Sequence, residues 1–161
     1  MEQDILEGKR ILVVDDEHDV LDTVEDLLSM CEVTTASDFG RARDLLEADT
    51  FDLALLDIMG VDGYGLLELA VEKGIPAVML TAHALSLDNI KKSREMGASY
   101  FIPKEEMVHL TTFLRDIFEA RAKGRNPWVR WYQRLASFCE RRFGPDWKEP
   151  DKAFWDRMTY H

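Results

Sequence analysis

The chain has 161 residues, of which 46% are hydrophobic and 32% are charged. This length fits one domain, or one small domain with an appendage, and the apolar fraction is enough for a buried core, which excludes a disordered or fibrous chain. The net charge of −11 makes the chain a poor general nucleic-acid binder, because phosphate contacts require positive charge.

The first ten residues carry acidic side chains where a secretory signal would carry lysine or arginine. No apolar run approaches the roughly 20 residues of a membrane helix. Cys31 and Cys139 match no metal-binding or redox spacing. We therefore expect a soluble cytoplasmic protein with two reduced cysteines and no membrane partner.

Up to residue 120, short apolar runs alternate with amphipathic segments. The apolar runs predict five strands, at 11–14, 32–36, 53–56, 77–80 and 99–102. The amphipathic segments predict five helices, with apolar positions at 20–28, 42–46 and 66–71 in the first three and with bounds near 87–96 and 105–120 in the last two. Asp16 and Asp38 are expected to cap the first two helices, and Gly97 to end the fourth. Five strand–helix units with short connections imply right-handed crossovers, and hence a parallel sheet with helices on both faces.

The composition changes after residue 122. All 4 tryptophans lie beyond residue 127, and basic residues outnumber acidic ones in this part, whereas the preceding part is strongly acidic. Gly124 and Asn126-Pro127 predict the end of one helix and the start of another. We therefore divide the chain into a domain of residues 1–122 and an aromatic, basic helical extension of residues 123–161. Helices are expected there at 128–143, stopped by Gly144, and at about 151–158.

One face of the first extension helix is apolar and consists of Trp128, Trp131, Tyr132, Leu135, Phe138 and Cys139. So many aromatic residues would form a large exposed patch unless something covers them. The extension either folds back on the acidic body or dimerises, with its arginines facing acidic groups, or offers a docking surface to a partner protein or kinase. Nucleic-acid binding is the weakest interpretation, because the extension is too short for a helix-turn-helix module of ordinary size.

Polar side chains follow the predicted strands where each one ends. Asp15-Asp16-Glu17 follows the first strand, Asp57 the third, Thr81 the fourth and Lys104 the fifth. Ligands of parallel sheets gather at this edge. Taken singly, these residues have ordinary explanations, such as helix-capping acids and a surface lysine. Their common position at one edge favours a functional site.

The residue types at this edge indicate phosphoryl transfer. Clustered carboxylates repel one another unless a cation neutralises them, and oxygen ligands without histidine or cysteine indicate Mg²⁺. A carboxylate can also attack a phosphoryl donor to give an acyl phosphate. Asp57 is the expected nucleophile, because it ends the central strand. Lys104 would then pair with one phosphoryl oxygen, and Thr81 would donate a hydrogen bond to another.

The segments 12–17, 56–59, 79–82 and 97–104 resemble the receiver domain of two-component response regulators, of the chemotaxis-regulator type, and the resemblance covers about residues 8–121. It implies a flavodoxin-like, doubly wound, five-stranded parallel sheet, here with a C-terminal helical extension. It implies a phosphoacceptor, Asp57, and Mg²⁺ held by Asp15, Asp16, Asp57 and the Met59 carbonyl. It also implies phosphoryl contacts from Thr81, Ala82 and Lys104, and a switch formed by Thr81 and Phe101, although Phe101 alone would be read as a core residue.

Two features depart from the pattern of that family. The loop between Asp57 and Asp62-Gly63 is two residues shorter than usual, and Pro103 precedes Lys104 where the family commonly has a proline after the lysine. Neither departure removes a candidate catalytic group, but the first leaves the path of the loop above the site open. An Ile102–Pro103 bond of either isomer is compatible with the sequence.

The predicted function is a response regulator phosphorylated by a sensor histidine kinase or a phosphotransfer protein, with output through an unidentified protein partner and with a possible homodimer. No enzymatic activity is expected beyond autophosphorylation and autodephosphorylation. The alternatives are a transcriptional regulator that acts through the basic extension, and a phosphorelay or dimerisation adaptor. A phosphatase of the haloacid dehalogenase type is weaker, because that class needs a second aspartate where Met59 stands.

Overall fold

The fold is that of a computed structural model, which describes residues 3–158; residues 1–2 and 159–161, which the expected domain ranges include, lie outside the described part. Its strands are β1 (Arg10–Val14), β2 (Glu32–Ala36), β3 (Leu53–Asp57), β4 (Ala77–Thr81) and β5 (Tyr100–Pro103). All neighbours pair in parallel, in the order β2-β1-β3-β4-β5. The predicted sheet is therefore confirmed.

Seven α-helices and two 3-10 helices accompany the sheet in the described part of the chain. The α-helices are α1 (His18–Leu27), α2 (Phe39–Ala48), α3 (Gly63–Glu72), α4 (Leu87–Glu95), α5 (Leu110–Ala122), α6 (Pro127–Phe143) and α7 (Lys152–Arg157). The 3-10 helices span Lys104–His109 and Glu149–Asp151. No helix within residues 3–158 has the length and apolar character needed to cross a membrane.

The burial of the strands follows from their sequences. Every residue of β3 and β4 is buried, as expected for apolar runs covered on both faces. The edge strand β2 has one buried residue, Ala36. The strand order reverses between β1 and β3, and the crevice at the carboxyl ends of these two strands is where such sheets bind ligands.

The helix ends confirm some predictions and correct others. Asp38 caps α2, because its side chain accepts a hydrogen bond from the Arg41 N–H, and the positive φ of Gly97 follows the end of α4. The cap predicted at Asp16 is wrong: α1 has Glu17 at its N-cap position, without a side-chain cap hydrogen bond.

The helix predicted at 105–120 begins later than expected, at Leu110. The preceding segment, Lys104–His109, is a 3-10 helix that buries no residue, whereas Leu110 is fully buried. The α-helix therefore starts where its apolar face first reaches the core. The Ile102–Pro103 bond is trans, because the described residues contain no cis peptide bond.

The extension folds back on the rest of the chain. Helix α6 packs against α5 and β5, and the aromatic side chains of the extension join the same core as the sheet. The buried aromatic residues of the extension are Trp128, Trp131, Phe138, Trp147, Phe154 and Trp155. The expectation of a folded-back helical extension is confirmed, and these aromatic rings are covered within one chain.

Candidate functional site

Three charged side chains meet where β1, β3 and β5 end. Asp15 follows β1 and is fully buried, Asp57 ends β3 and is 4% exposed, and Lys104 follows β5 directly. The Lys104 Nζ lies 2.8 Å from Asp15 Oδ2 and 3.4 Å from Asp57 Oδ1. Residues 42 or more apart in sequence are thus brought together because parallel strands end at a common edge.

The environment of Asp57 disfavours its charged form. Burial raises the pKa of this carboxyl to about 7, and the negative charge of Asp15 adds to the effect, while Lys104 opposes it. Burial by itself lowers the pKa of Lys104, but the hydrogen bond and charge of Asp15, followed by the charges of Asp57 and Glu17, raise it overall. The site therefore holds a lysine, Lys104, that stays protonated, and a carboxyl group, Asp57, whose ionised form needs further positive charge nearby.

The carboxylates offer an oxygen-only ligand set. One oxygen each from Asp15, Asp16 and Glu17 lie within 4.8 Å of one another, and Asp57 is not a member of this group. Lys104 is the cation next to Asp15 and Asp57, and it also lies 3.4 Å from Glu17 Oε1. Three carboxylates without histidine or cysteine among them fit a hard divalent cation such as Mg²⁺.

Glu17 is a site residue that the expected ligand set lacked. Its Oε1 lies 3.4 Å from Lys104 Nζ and 3.9 Å from Nε2 of His83. Its backbone N–H donates a hydrogen bond to Asp15 Oδ1 over 2.9 Å, which fixes the orientation of that carboxylate. The run Asp15-Asp16-Glu17 was the sequence signal for it.

The short loop after β3 closes through special backbone conformations. Gly60 has a φ of +81°, and a Cβ there would lie 2.6 Å from the Asp16 carboxylate. Asp62 has a φ of 49° and caps α3 by accepting a hydrogen bond from the Gly65 N–H. A Cβ on Gly63 would lie 2.1 Å from the Asp57 carbonyl oxygen. The loop therefore brings the start of α3 against the backbone of Asp57.

The other predicted site residues differ in exposure. Thr81 is buried at the end of β4, and its Oγ1 accepts a hydrogen bond from the Ala84 N–H over 2.9 Å. The side chain of Met59 is exposed, as is Ala82, while Phe101 is fully buried within β5. Thr81 and Phe101 belong to neighbouring strands, β4 and β5.

The extension contacts β5 and α5 through polar as well as apolar groups. The indole N–H groups of Trp128 and Trp131 donate hydrogen bonds to the carbonyls of Ala98 and Phe101, over 2.7 and 2.8 Å. Asp116 of α5 is 3% exposed and pairs with two arginines of α6, Arg130 and Arg134. These contacts fix α6 against β5 and α5.

Comparison with known proteins shows the class to which this fold and site belong. The family model of the response regulator receiver domain matches residues 11–115. A CheY-like response regulator receiver domain protein of Methanospirillum hungatei JF-1 is 30% identical, with a TM-score of 0.62, and the match covers 72% of this chain and 98% of that one. The BeF3-activated N-terminal receiver domain of Klebsiella pneumoniae RstA is 33% identical, with a TM-score of 0.54 and coverages of 59% and 85%. The chain belongs to the response regulator receiver domain family.

Curated relatives are longer than the matched region. The chain is 38% identical over 117 residues to the probable transcriptional regulator ycf27 of Cyanophora paradoxa, covering 66% of this chain and 48% of that protein. It is 39% identical over 121 residues to the two-component response regulator ARR12 of Arabidopsis thaliana, covering 71% and 20%. The chain thus spans about half the length of the first relative and a fifth of the second, and the family match ends before α6 and α7.

Proposed function

We propose that this chain is a phosphoacceptor response regulator, which receives a phosphoryl group on Asp57 from a sensor histidine kinase or a phosphotransfer protein. The observation that carries the proposal is the position of Asp57: its carboxylate is almost fully buried at the end of the central strand, 3.4 Å from Lys104 and beside the charge of Asp15. A buried carboxylate with a raised pKa, next to a lysine and further acids, is typical of a functional site.

In the proposed reaction, a carboxylate oxygen of Asp57 attacks the phosphorus, and the bond from phosphorus to the donor's imidazole nitrogen breaks. Lys104 pairs with one phosphoryl oxygen, and the Thr81 hydroxyl and the Ala82 N–H donate hydrogen bonds to the others. Mg²⁺, when bound by Asp15, Asp16, Asp57 and the Met59 carbonyl, supplies the positive charge that the transferred group requires. Because burial favours the protonated form of Asp57, the ionised nucleophile depends on these cations.

We further propose that the output is a protein–protein interaction and that the chain has no enzymatic activity beyond autophosphorylation and autodephosphorylation. The proposed location of this transfer is the cytoplasm. Action as a transcriptional regulator through the extension is the second candidate, which the name of the Cyanophora relative supports. The ion pairs of the extension disfavour this candidate, because Arg130 and Arg134, which could contact phosphates, are already paired with Asp116.

The test is phosphorylation by acetyl phosphate in the presence of Mg²⁺, followed by intact-mass spectrometry. We expect the wild-type chain and Asp22→Asn, which alters an exposed aspartate of α1, to gain the mass of one phosphoryl group. Asp57→Asn should gain none, and chelation of Mg²⁺ should abolish the gain in the wild type. A phosphoryl group on Asp57→Asn, or none on the wild type, would refute the proposal.

A further inference from the structure

A chain of hydrogen bonds connects Thr81 to helix α4. Thr81 Oγ1 accepts from the Ala84 N–H over 2.9 Å, and the Ala84 carbonyl accepts from Asn89 Nδ2 over 3.0 Å. The Tyr64 hydroxyl of α3 donates to Asn89 Oδ1 over 2.6 Å. Asn89, in the first turn of α4, is therefore held by both the β4–α4 connection and α3. A rearrangement of that connection must move α4 or break these bonds.

The same helix holds the end of the extension. Lys91 forms an ion pair with Asp151, which directly precedes α7. Its Nζ also lies 5.5 Å from the ring centroid of Phe154, and the Arg94 guanidinium carbon lies 5.7 Å from it. Phe154 itself is 2% exposed. Helix α7 is thus attached to α4 by one ion pair and by an aromatic ring beneath two cations.

The two helices of the extension differ in how firmly they are attached. Helix α6 is fixed by two buried indole hydrogen bonds and by the buried carboxylate of Asp116. The side chains of Lys91 and Asp151 are 26% and 39% exposed, and ion pairs and cation–π contacts at such sites contribute little each. A displacement of α4 therefore breaks the polar contacts of α7, while the burial of Phe154 and Trp155 and the stacking of Trp155 on Trp131, with ring centroids 6.3 Å apart, oppose its release.

We propose that Asp151 and α7 form a latch on α4 that opens when the site at Asp57 binds a phosphoryl group; this inference rests on the proposed function. Phosphoryl oxygens attract the Thr81 hydroxyl, so the Ala84 N–H loses its acceptor and the β4–α4 connection rearranges. Asn89 transmits this movement to α4. In the described conformation Lys91 contacts both Asp151 and the Phe154 ring, and a shift of α4 lengthens both contacts. The equilibrium then favours the open latch.

Such coupling is reciprocal. If phosphoryl binding favours the open latch, a variant whose latch is already weakened must bind the phosphoryl group more tightly. Asp151→Asn removes the charge that faces Lys91, and Asp146→Asn makes the same chemical change at an exposed residue five positions earlier. Comparison of these two variants separates an effect of the latch from an effect of net charge.

The experiment uses the full chain with Mg²⁺ and beryllofluoride, which mimics a phosphoryl group. Fluorine NMR measures its binding, and hydrogen exchange with mass spectrometry measures the opening of residues 147–158. In the wild type we expect binding to raise exchange in 147–158 several-fold and to leave 127–143 unchanged. Asp151→Asn should exchange faster before binding and should bind beryllofluoride several-fold more tightly, while Asp146→Asn behaves as the wild type. Asn89→Ala should bind beryllofluoride with a reduced exchange response.

The outcomes separate the latch from the proposed function. Bound beryllofluoride with unchanged exchange in 147–158, or equal affinities in all variants, would overturn the latch and leave the phosphoacceptor proposal standing. A full exchange response in Asn89→Ala would overturn the route through Asn89. Failure of the wild type to bind beryllofluoride would overturn both proposals.

Discussion

The indole N–H of Trp131 donates a hydrogen bond to the carbonyl oxygen of Phe101 over 2.8 Å, and both residues are almost completely buried. A side chain of the extension is thereby attached to the backbone of the strand that leads to Lys104. The role of Phe101 as a switch residue stays a prediction. Its carbonyl nevertheless provides a direct connection between β5 and α6.

We expect Trp131→Phe to destabilise the chain by about 1 kcal/mol through the lost hydrogen bond, because the buried Phe101 carbonyl is left without that donor. Urea denaturation followed by circular dichroism measures the free energy of unfolding. Trp147→Phe is the matched control, since the described contacts of Trp147 are with the rings of Tyr132 and Trp155. Equal losses in the two variants would show that indole volume, and not the hydrogen bond, is what matters.

Arg134→Ala should cost about 1–3 kcal/mol, because it removes two of the hydrogen bonds to the buried Asp116 carboxylate, from Nε over 2.9 Å and from Nη2 over 3.2 Å. Arg141→Ala, at an exposed position of the same helix, should stay within about 0.5 kcal/mol of the wild type. Thermal unfolding at low and high salt checks both values. A loss at Arg134 that disappears in high salt would contradict a buried interaction.

Asp57→Asn should stabilise the chain at high pH in the absence of divalent cations. The folded-state pKa of about 7 lies above the ordinary value of 3.8, so the folded state binds the proton more tightly than the unfolded state. The stability that protonation of Asp57 contributes is complete below pH 3.8 and is lost as the pH rises through 7. At pH 8 we expect a gain on the order of 2 kcal/mol for the variant, shrinking toward pH 5. Urea denaturation in buffer that contains EDTA measures the free energy of unfolding at each pH. A variant less stable than the wild type at pH 8 would refute the prediction.

Gly63→Ala should disturb both stability and the site. Its Cβ would lie 2.1 Å from the Asp57 carbonyl oxygen and 2.8 Å from the Ile58 Cα, so backbone must move. We expect a loss above about 2 kcal/mol and weaker beryllofluoride binding. At Gly40 the nearest atom to an added Cβ is 3.5 Å away, which makes Gly40→Ala the control. Similar thermal midpoints for the two variants would show that the loop before Gly63 rearranges without a loss of stability.

Much of the fold could be predicted from the sequence, because buried parallel strands leave continuous apolar runs such as 53–56 and because their carboxyl ends share one edge. The same rule predicts that Asp15, Asp57 and Lys104 lie close together. The 3-10 helix at Lys104–His109 could not be predicted, because helical periodicity does not distinguish a 3-10 segment from the first turns of α5.

The contacts of the extension were predictable only in outline. The excess of arginines beside an acidic body indicated attraction between them, but Asp116 reads as an ordinary exposed acid of an amphipathic helix. Its pairing with Arg130 and Arg134 depends on how α6 crosses α5, which is a matter of tertiary packing. The connection from Ala84 to Asn89 likewise depends on the conformation of a loop.

The two edges of the sheet are not equivalent. All four residues of β5 are buried, whereas β2 is partly open, with an exposed residue at its start. An uncovered edge strand can recruit an extended segment of another chain, and this is a common origin of aggregation and strand exchange. Because α6 packs against β5, β2 is the edge strand of the native sheet that is open to such recruitment. A chain truncated before α6, at residue 126, would expose β5 as a second edge strand.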